Sequence, residues 1–187
     1  MLEKIARSLR ARGFEAETVK SAAEACALVM KEAENARSVG WGGSETIKQI
    51  GARGLLLESG KEIRDHRTDC DLFLLSANAL TVDGRIVNTD GNGNRVAASI
   101  HGPGRVVYVI GRNKVVDGGI DAAVARIRNR ACPPNARRLG RPTPCALEGR
   151  CGDCDLPERM CKVTVIFDRK PTGISAKVIL VDEDLGF

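Results

Sequence analysis

The run "RVVYVIG", Arg105–Gly111, is the most constraining stretch of this chain. It is long enough for a strand, too short for a helix of its own, and lacks a polar face to give to water. Such a strand must be covered on both sides. "DLFLL", Asp71–Leu75, is a second run of this kind, and "RSVG", Arg37–Gly40, is a shorter third. Helical patterns separate them. Met1–Arg12 puts Leu2, Ile5, Ala6 and Leu9 on one face and stops at Gly13, before the alternating strand "FEAETV". Ser21 and Glu24 form a capping box ahead of an alanine-rich helix, whose Cys26 falls on the apolar side. Ser44 caps "ETIKQIG", "NRVAASIHG" continues the series, and "DGGIDAAVARIRNRA" carries Ile120, Val124 and Ile127 on one face. Helices interleaved with apolar strands predict an α/β fold with a mostly parallel open sheet between helical layers.

Around that frame, "VDGRIV" reads as a hairpin-like turn, and "KVTVIF" and "AKVILVDEDLGF" as two strands that an antiparallel turn through "DRKPTG" could join. The pattern breaks at Cys132. Residues 132–161 contain five prolines and almost no apolar periodicity. They are expected to form an irregular excursion from a single domain spanning residues 1–187, a length that can bury a core unaided.

Two glycine-rich loops follow strands. In "SVGWGGSET", Gly40, Gly42 and Gly43 can bring backbone N–H groups close to an anion, and Ser44 and Thr46 add hydroxyls. In "NTDGNGNRVA", Asp90 precedes Gly91 and Gly93, which permit positive φ, while Asn92 and Asn94 tolerate it and offer amides. Arg95 would add a charge-assisted hydrogen bond to a ligand, so that Arg95→Ala weakens binding and spares the fold. Asn78 and Asp83, after the "LFLLS" strand, can approach from a neighbouring loop. Because ligands in open α/β sheets bind beyond the strand C-termini, the two loops are expected to share one anion pocket. Trp41 either stacks on a planar ligand or packs beneath the loop. His101 closes a helix, as a C-terminal cap or as an acid/base near the site, whereas His66 reads as a solvated connector residue. Neither loop is a Walker lysine loop or a dinucleotide GxGxxG.

"PCALEGRCGDCDLPERMC" places Cys145, Cys151, Cys154 and Cys161 in a C-x₅-C-x₂-C-x₆-C pattern, with Cys132 as a possible fifth thiol. Four thiolates suit a [4Fe–4S] cluster or tetrahedral zinc, and redox-active thiols are a third reading. The leading expectation is an iron–sulfur cluster within bonding distance of all four sulfurs. Ligation would supply folding energy to a segment too polar to fold by burial.

The formal charge is +5, and much of the excess lies between Ala125 and Cys145, where Arg126, Arg128, Arg130, Arg137, Arg138 and Arg141 meet no carboxylate. These arginines either oppose helix C-terminal dipoles or rim a phosphate site. Aromatics are only 3% of residues, so a stacking platform for nucleic acid is not expected. "MLEKIARSLRARGFEAETV" offers no secretory apolar core and no run reaches membrane-span length, which predicts a cytoplasmic protein with reduced cysteines.

The ordered motifs "SVGWGGSETI", "DLFLLSANALTVDGRIVNTDGNGNRVAASIHGPGRVVYVIGRNKVV" and "VILVDEDLGF" resemble the LUD (lactate-utilisation) domain family over nearly the whole chain. The resemblance implies a Rossmann-like three-layer fold similar to the sugar-phosphate isomerase and CoA-transferase superfamily. In ribose-5-phosphate isomerases of that group, a glycine–serine–threonine loop holds substrate. Gly40–Thr46 looks like its counterpart, with "ANALTVDG" and "DGNGNR" where two further substrate loops fall. The closely spaced acidic residues that move a proton there are missing, with Asn78, Asp83 and Asp90 in that region. The implied function is binding of a small anionic or phosphorylated metabolite, tied by the cluster to redox-linked organic-acid metabolism with a redox partner protein. The alternatives are a non-catalytic binding or electron-relay subunit and a structural zinc protein.

Overall fold

The computed structural model describes residues 1–64 and 68–187; His66 lies outside the described residues. The chain runs through α1 (Leu2–Ala11), β1 (Glu15–Val19), α2 (Ala22–Ala33), β2 (Ser38–Trp41), α3 (Glu45–Gln49), α4 (Ala52–Glu58), β3 (Glu62–Ile63) and β4 (Leu72–Leu75). It continues with β5 (Ala79–Thr81), β6 (Ile86–Asp90), α5 (Asn94–Ile100), β7 (Arg105–Gly111), β8 (Val115–Val116) and α6 (Gly119–Arg126). Last come α7 (Cys132–Arg138), α8 (Pro144–Glu148), β9 (Val163–Phe167) and β10 (Ser175–Val181).

Six strands form an all-parallel sheet in the order β1-β10-β7-β4-β2-β3. Alternate side chains of the apolar strands feed different cores, which is why these runs are apolar throughout. Phe73, Leu75, Val106, Tyr108, Ile110, Val178 and Leu180 pack with Ile5, Ala6 and Leu9 of α1 and with Ala98 of α5. On the other face, Leu72, Leu74, Val107, Val109, Ile179 and Val181 meet Val29 of α2, Ile47 of α3 and Leu56 of α4. Cys26 is buried in α2, as its helical phase required.

A second sheet, ordered β8-β5-β6-β9, lies beyond the first core, to which it contributes Leu80, Ile86 and Phe167. Its far side holds Ala79 and Val87 against Ala123 of α6 and Ile127. β5 and β6 are the antiparallel pair expected around "VDGRIV".

Three details differ from the sequence reading. α4 lies in a stretch that carries no helix there; it starts directly after Gly51 and buries only Ala52 and Leu56, too short a stripe to stand out as periodic. β9 and β10 do not pair. β9 runs antiparallel to β6 in the second sheet, and β10 inserts between β1 and β7 in the first. The residues from Cys132 to Glu148 are largely helical: a π-helical turn, Ile127–Ala131, joins α6 to α7, and α8 follows. Pro133 stands in the first turn of α7, where a missing N–H costs least, and the wider π turn absorbs the interruption. The irregular stretch is shorter, Gly149 to Lys162, and none of its residues is fully buried.

Candidate functional site

Four parallel strands deliver residues to one crevice at their C-terminal ends. Beyond β2 lie Gly43 to Thr46, beyond β4 Ser76 to Asn78, beyond β7 Lys114, and beyond β10 Gly186 and Phe187. With Arg95 of α5 and Ala131 and Asn135 near α7, they line an inner cavity of about 80 Å³. An outer cavity of about 410 Å³ shares Gly43, Asn78, Arg95, Ala131 and Asn135 with it and extends to Thr89–Asn92, Asn94, Arg138, Arg141, Cys132 and Met160.

Lys114 governs the inner cavity. It is 4% exposed, and its Nζ donates to Thr46 Oγ1 and Ser76 Oγ, each at 2.8 Å. No carboxylate pairs with it among the described residues. Lys177 shows the usual arrangement: half-buried, it is held by Glu17 at 2.8 Å and Glu32 at 3.1 Å. Burial pulls the Lys114 ammonium from its ordinary 10.5 down to about 7, and the positive charges of Arg126 and Arg95 add to the effect. Glu45 is the one carboxylate side chain on the inner wall, and it pairs with Arg138 at 3.3 Å. Gly186 closes over the amine with φ +64°; a Cβ there would stand 2.6 Å from Thr46 Oγ1 and 3.1 Å from Lys114 Nζ.

The expected site residues divide into those facing the crevice and those holding it together. Gly43 lines both cavities, and Ser44 lines the inner one while accepting Ile47 N–H as the cap of α3. Thr46 is buried, binding Lys114 and donating to Leu185 O. Gly91 and Asn94 line the outer cavity. Gly40 is not a loop residue: it sits inside β2, where a Cβ would come within 2.8 Å of Arg64 O, so it serves sheet packing. Gly42 meets the stem of Arg95, with 3.2 Å between an added Cβ and Cδ, which joins the two loops through packing. Of residues 91–94 only Gly93 has positive φ, as the N-cap of α5. Gly91 instead permits a close approach, an added Cβ falling 3.0 Å from Met160 O.

Arg95 lines both cavities. It does not reach freely toward a ligand: Nη1 donates to Asn88 Oδ1 at 3.0 Å and Ser76 O at 3.4 Å, and Nη2 to Asn78 Oδ1 at 2.9 Å and Thr89 O at 2.6 Å. Asn78 is thereby a link in the frame, its backbone N–H also donating to Asn88. Asp90 turns its carboxylate to the N–H groups of Asn92, Arg95 and Val96, which explains an acid beside a positive crevice. Asp83 lies elsewhere, bound to Arg12 at 2.7 Å in the β5–β6 turn. His101 ends α5, opposite the end that lines the crevice, and touches neither cavity. Trp41 is 1% exposed in the core, with Arg53 over its ring at 5.1 Å, so it packs beneath the loop.

Of the arginine group, Arg138 and Arg141 rim the outer cavity, while Arg126 holds Asn78 O and Asn113 O. Lys114, Ser76 and Gly186 were missed as site residues. Ser76 directly follows β4, and Lys114 and Gly186 lie in the connections just beyond β7 and β10, so the strand-end rule that selected the glycine loops pointed to them too.

The cysteine segment docks on the same crevice through Lys162 N–H to Asp90 O, at 3.1 Å. All seven cysteines are free thiols. Cys132, whose thiol is pushed up to about 12 by burial and then by its neighbours, interacts with Cys161, Cys145 and Cys151, and Cys154 interacts with those same three. Asp153 adopts φ +47° between Cys151 and Cys154 and donates its N–H to Cys151 Sγ at 3.4 Å. Arg159 bonds Cys154 O and Cys161 O. Among the described residues no three His, Cys, Asp or Glu side chains are grouped so as to hold a single metal ion. The sulfurs are therefore neighbours without the closed ligand shell expected of them.

The model of the LUD domain family matches residues 2–181. The chain belongs to the LUD domain family. One solved structure similar to this LUD domain is a DUF162 family protein from Deinococcus radiodurans, at 18% identity and a TM-score of 0.57, covering 96% of this chain and 95% of that one. At that identity the likeness concerns the fold. No curated protein matches the sequence significantly. Among the described residues no helix is long and apolar enough to cross a membrane.

Proposed function

We propose that this LUD domain binds a small anionic metabolite, a carboxylate or phosphate, in the crevice around Lys114. One observation carries the reading: a lysine buried to 4% exposure has only hydroxyls as partners among the described residues. Buried charges are ordinarily paired, and a site that leaves a cation unpaired at neutral pH favours an incoming anion. Arg138 and Arg141 on the outer wall extend the positive surface, while the Asp90 carboxylate accepts from the backbone N–H groups of Arg95 and Val96. Calorimetric titration with phosphate, oxalate and pyruvate should detect saturable binding of at least one; no binding by any of them would refute the anion site. Gly43 has ordinary φ, and an added Cβ would meet only Arg138 Nη2, at 3.8 Å. Gly43→Val should therefore fold normally and weaken anion binding about tenfold or more by narrowing the passage between the cavities.

The same reading assigns the segment Cys145–Cys161 an iron–sulfur cluster, [4Fe–4S], held by Cys145, Cys151, Cys154 and Cys161. In support, the Cys154 thiol interacts electrostatically with those of Cys145, Cys151 and Cys161, a turn with positive φ lies between Cys151 and Cys154, and an N–H points at a sulfur. The stretch from Gly149 to Lys162 also buries none of its residues fully, so ligation would order it. When bound, such a cluster supplies one-electron transfer, to crevice ligand or partner protein, in redox-linked organic-acid metabolism. Anaerobically purified protein should contain iron and acid-labile sulfide and absorb in the visible, with the colour lost in Cys151→Ser. Zinc alone would make the segment a structural staple, and absence of both metals would end the cluster reading.

A further inference from the structure

We propose that Lys114 is a carbonyl-reactive nucleophile whose amine condenses with the aldehyde or ketone of a small anion bound in the crevice. The inference rests on the anion-site reading and adds a covalent step to it. An amine nitrogen has four directions: at Lys114 one leads to its own chain, two to the hydroxyls of Thr46 and Ser76 at 2.8 Å each, and the fourth is left for the cavity that the residue lines. Glycine at 186 lets the tail pack against the amine without a side chain, since a Cβ there would lie 3.1 Å from Nζ and 2.6 Å from Thr46 Oγ1.

The two cavities match the two ends of such a substrate. The inner one, about 80 Å³, has room for a carbonyl group and the few heavy atoms beside it. The outer one, with Arg138 and Arg141 on its wall, receives the charged end, so the anion need not lie on the amine itself. The charged groups facing Lys114 are Arg95 from α5, Arg126 from α6 and Glu45 from α3, the last engaged by Arg138. Two cations and burial keep a share of the amine neutral near pH 7, the state that attacks carbon.

The nitrogen lone pair forms the N–C bond while the carbonyl π pair moves to oxygen, which takes up a proton. The nitrogen gives up its two protons, one as the carbinolamine forms and one as the C–O bond breaks. Through the Thr46 and Ser76 hydroxyls and solvent they balance the two protons with which the oxygen leaves as water. The products are an imine at Nζ and one water, with no oxidant or reductant consumed.

The intact protein is incubated with glyoxylate or, separately, glycolaldehyde phosphate, then treated with cyanoborohydride, digested and mapped by mass spectrometry. Lys114 should carry the reduced adduct at least about tenfold above any other lysine, with yield rising between about pH 6 and 8 and falling when oxalate or phosphate competes. The better of the two compounds tells a carboxylate site from a phosphate site. Labelling spread over the exposed lysines, or equal labelling of Lys114→Met, would overturn the proposal. Calorimetry with the same compounds separates the two readings. Binding without a Lys114 adduct removes the covalent step alone, whereas no binding of any anion removes both.

Discussion

Arg95→Ala lowers the stability of this LUD domain by about 3–5 kcal/mol, the range for removing one partner from a buried, charge-assisted network. The guanidinium ties Ser76 and Asn78 after β4 to Asn88 and Thr89 of β6 and stands at the start of α5. Alanine would remove the guanidinium donors from Ser76 O and Thr89 O and leave Asn88 Oδ1 and Asn78 Oδ1 with the backbone N–H groups of Asn78 and Thr89, while Asn88 already has a buried Nδ2 without a partner among the described residues. Chemical denaturation should show the loss directly, and a thermal scan a drop of about 10 °C at this chain length. A loss under about 1 kcal/mol would mean that the network is solvated and that Arg95 is free to serve a ligand after all.

Lys114→Met reverses the usual sign of a buried substitution. In the folded chain the ammonium titrates at about 7, against 10.5 ordinarily. Between those values the unfolded chain holds a proton that the folded one lacks, so wild-type stability rises with pH across that window. Below about pH 7 the folded protein bears the full cost of a buried cation. The stability of Lys114→Met relative to wild type should therefore fall by roughly 4 kcal/mol from pH 6 to pH 10.5, the shift converted at 1.36 kcal/mol per unit. A pH-independent difference would show that the lysine titrates normally. Anion binding runs the linkage the other way. A bound anion stabilises the ammonium and raises its pKa, so binding takes up a proton above pH 7. Affinity should then fall by up to about tenfold per pH unit above 7, and the variant should lose both that slope and about tenfold or more in affinity at pH 7.

Much of the architecture was legible in the residues themselves. "RVVYVIG" and "DLFLL" have no polar phase, and the only home for such strands is a sheet covered on both faces. Ser21 with Glu24, Gly13 after α1 and Ser44 before α3 mark helix ends through local hydrogen bonds or conformation that operate within four residues. The strand-end rule likewise put Gly43, Ser44, Thr46 and Gly91 to Arg95 at one edge. Which of these side chains are free to bind, and which hold the frame, was settled only by tertiary packing. Arg95 looks like a ligand arm until Asn78, Asn88 and Thr89, from separate turns and strands, arrive around it. Lys114 looks like an ordinary turn lysine until α3, the end of β4 and the tail after β10 close over it. β9 and β10 are adjacent in sequence and similar in pattern, yet enter different sheets. Alternation and propensity are properties of neighbours along the chain, while desolvation and the exhaustion of donors by acceptors belong to groups that meet only when distant segments fold together.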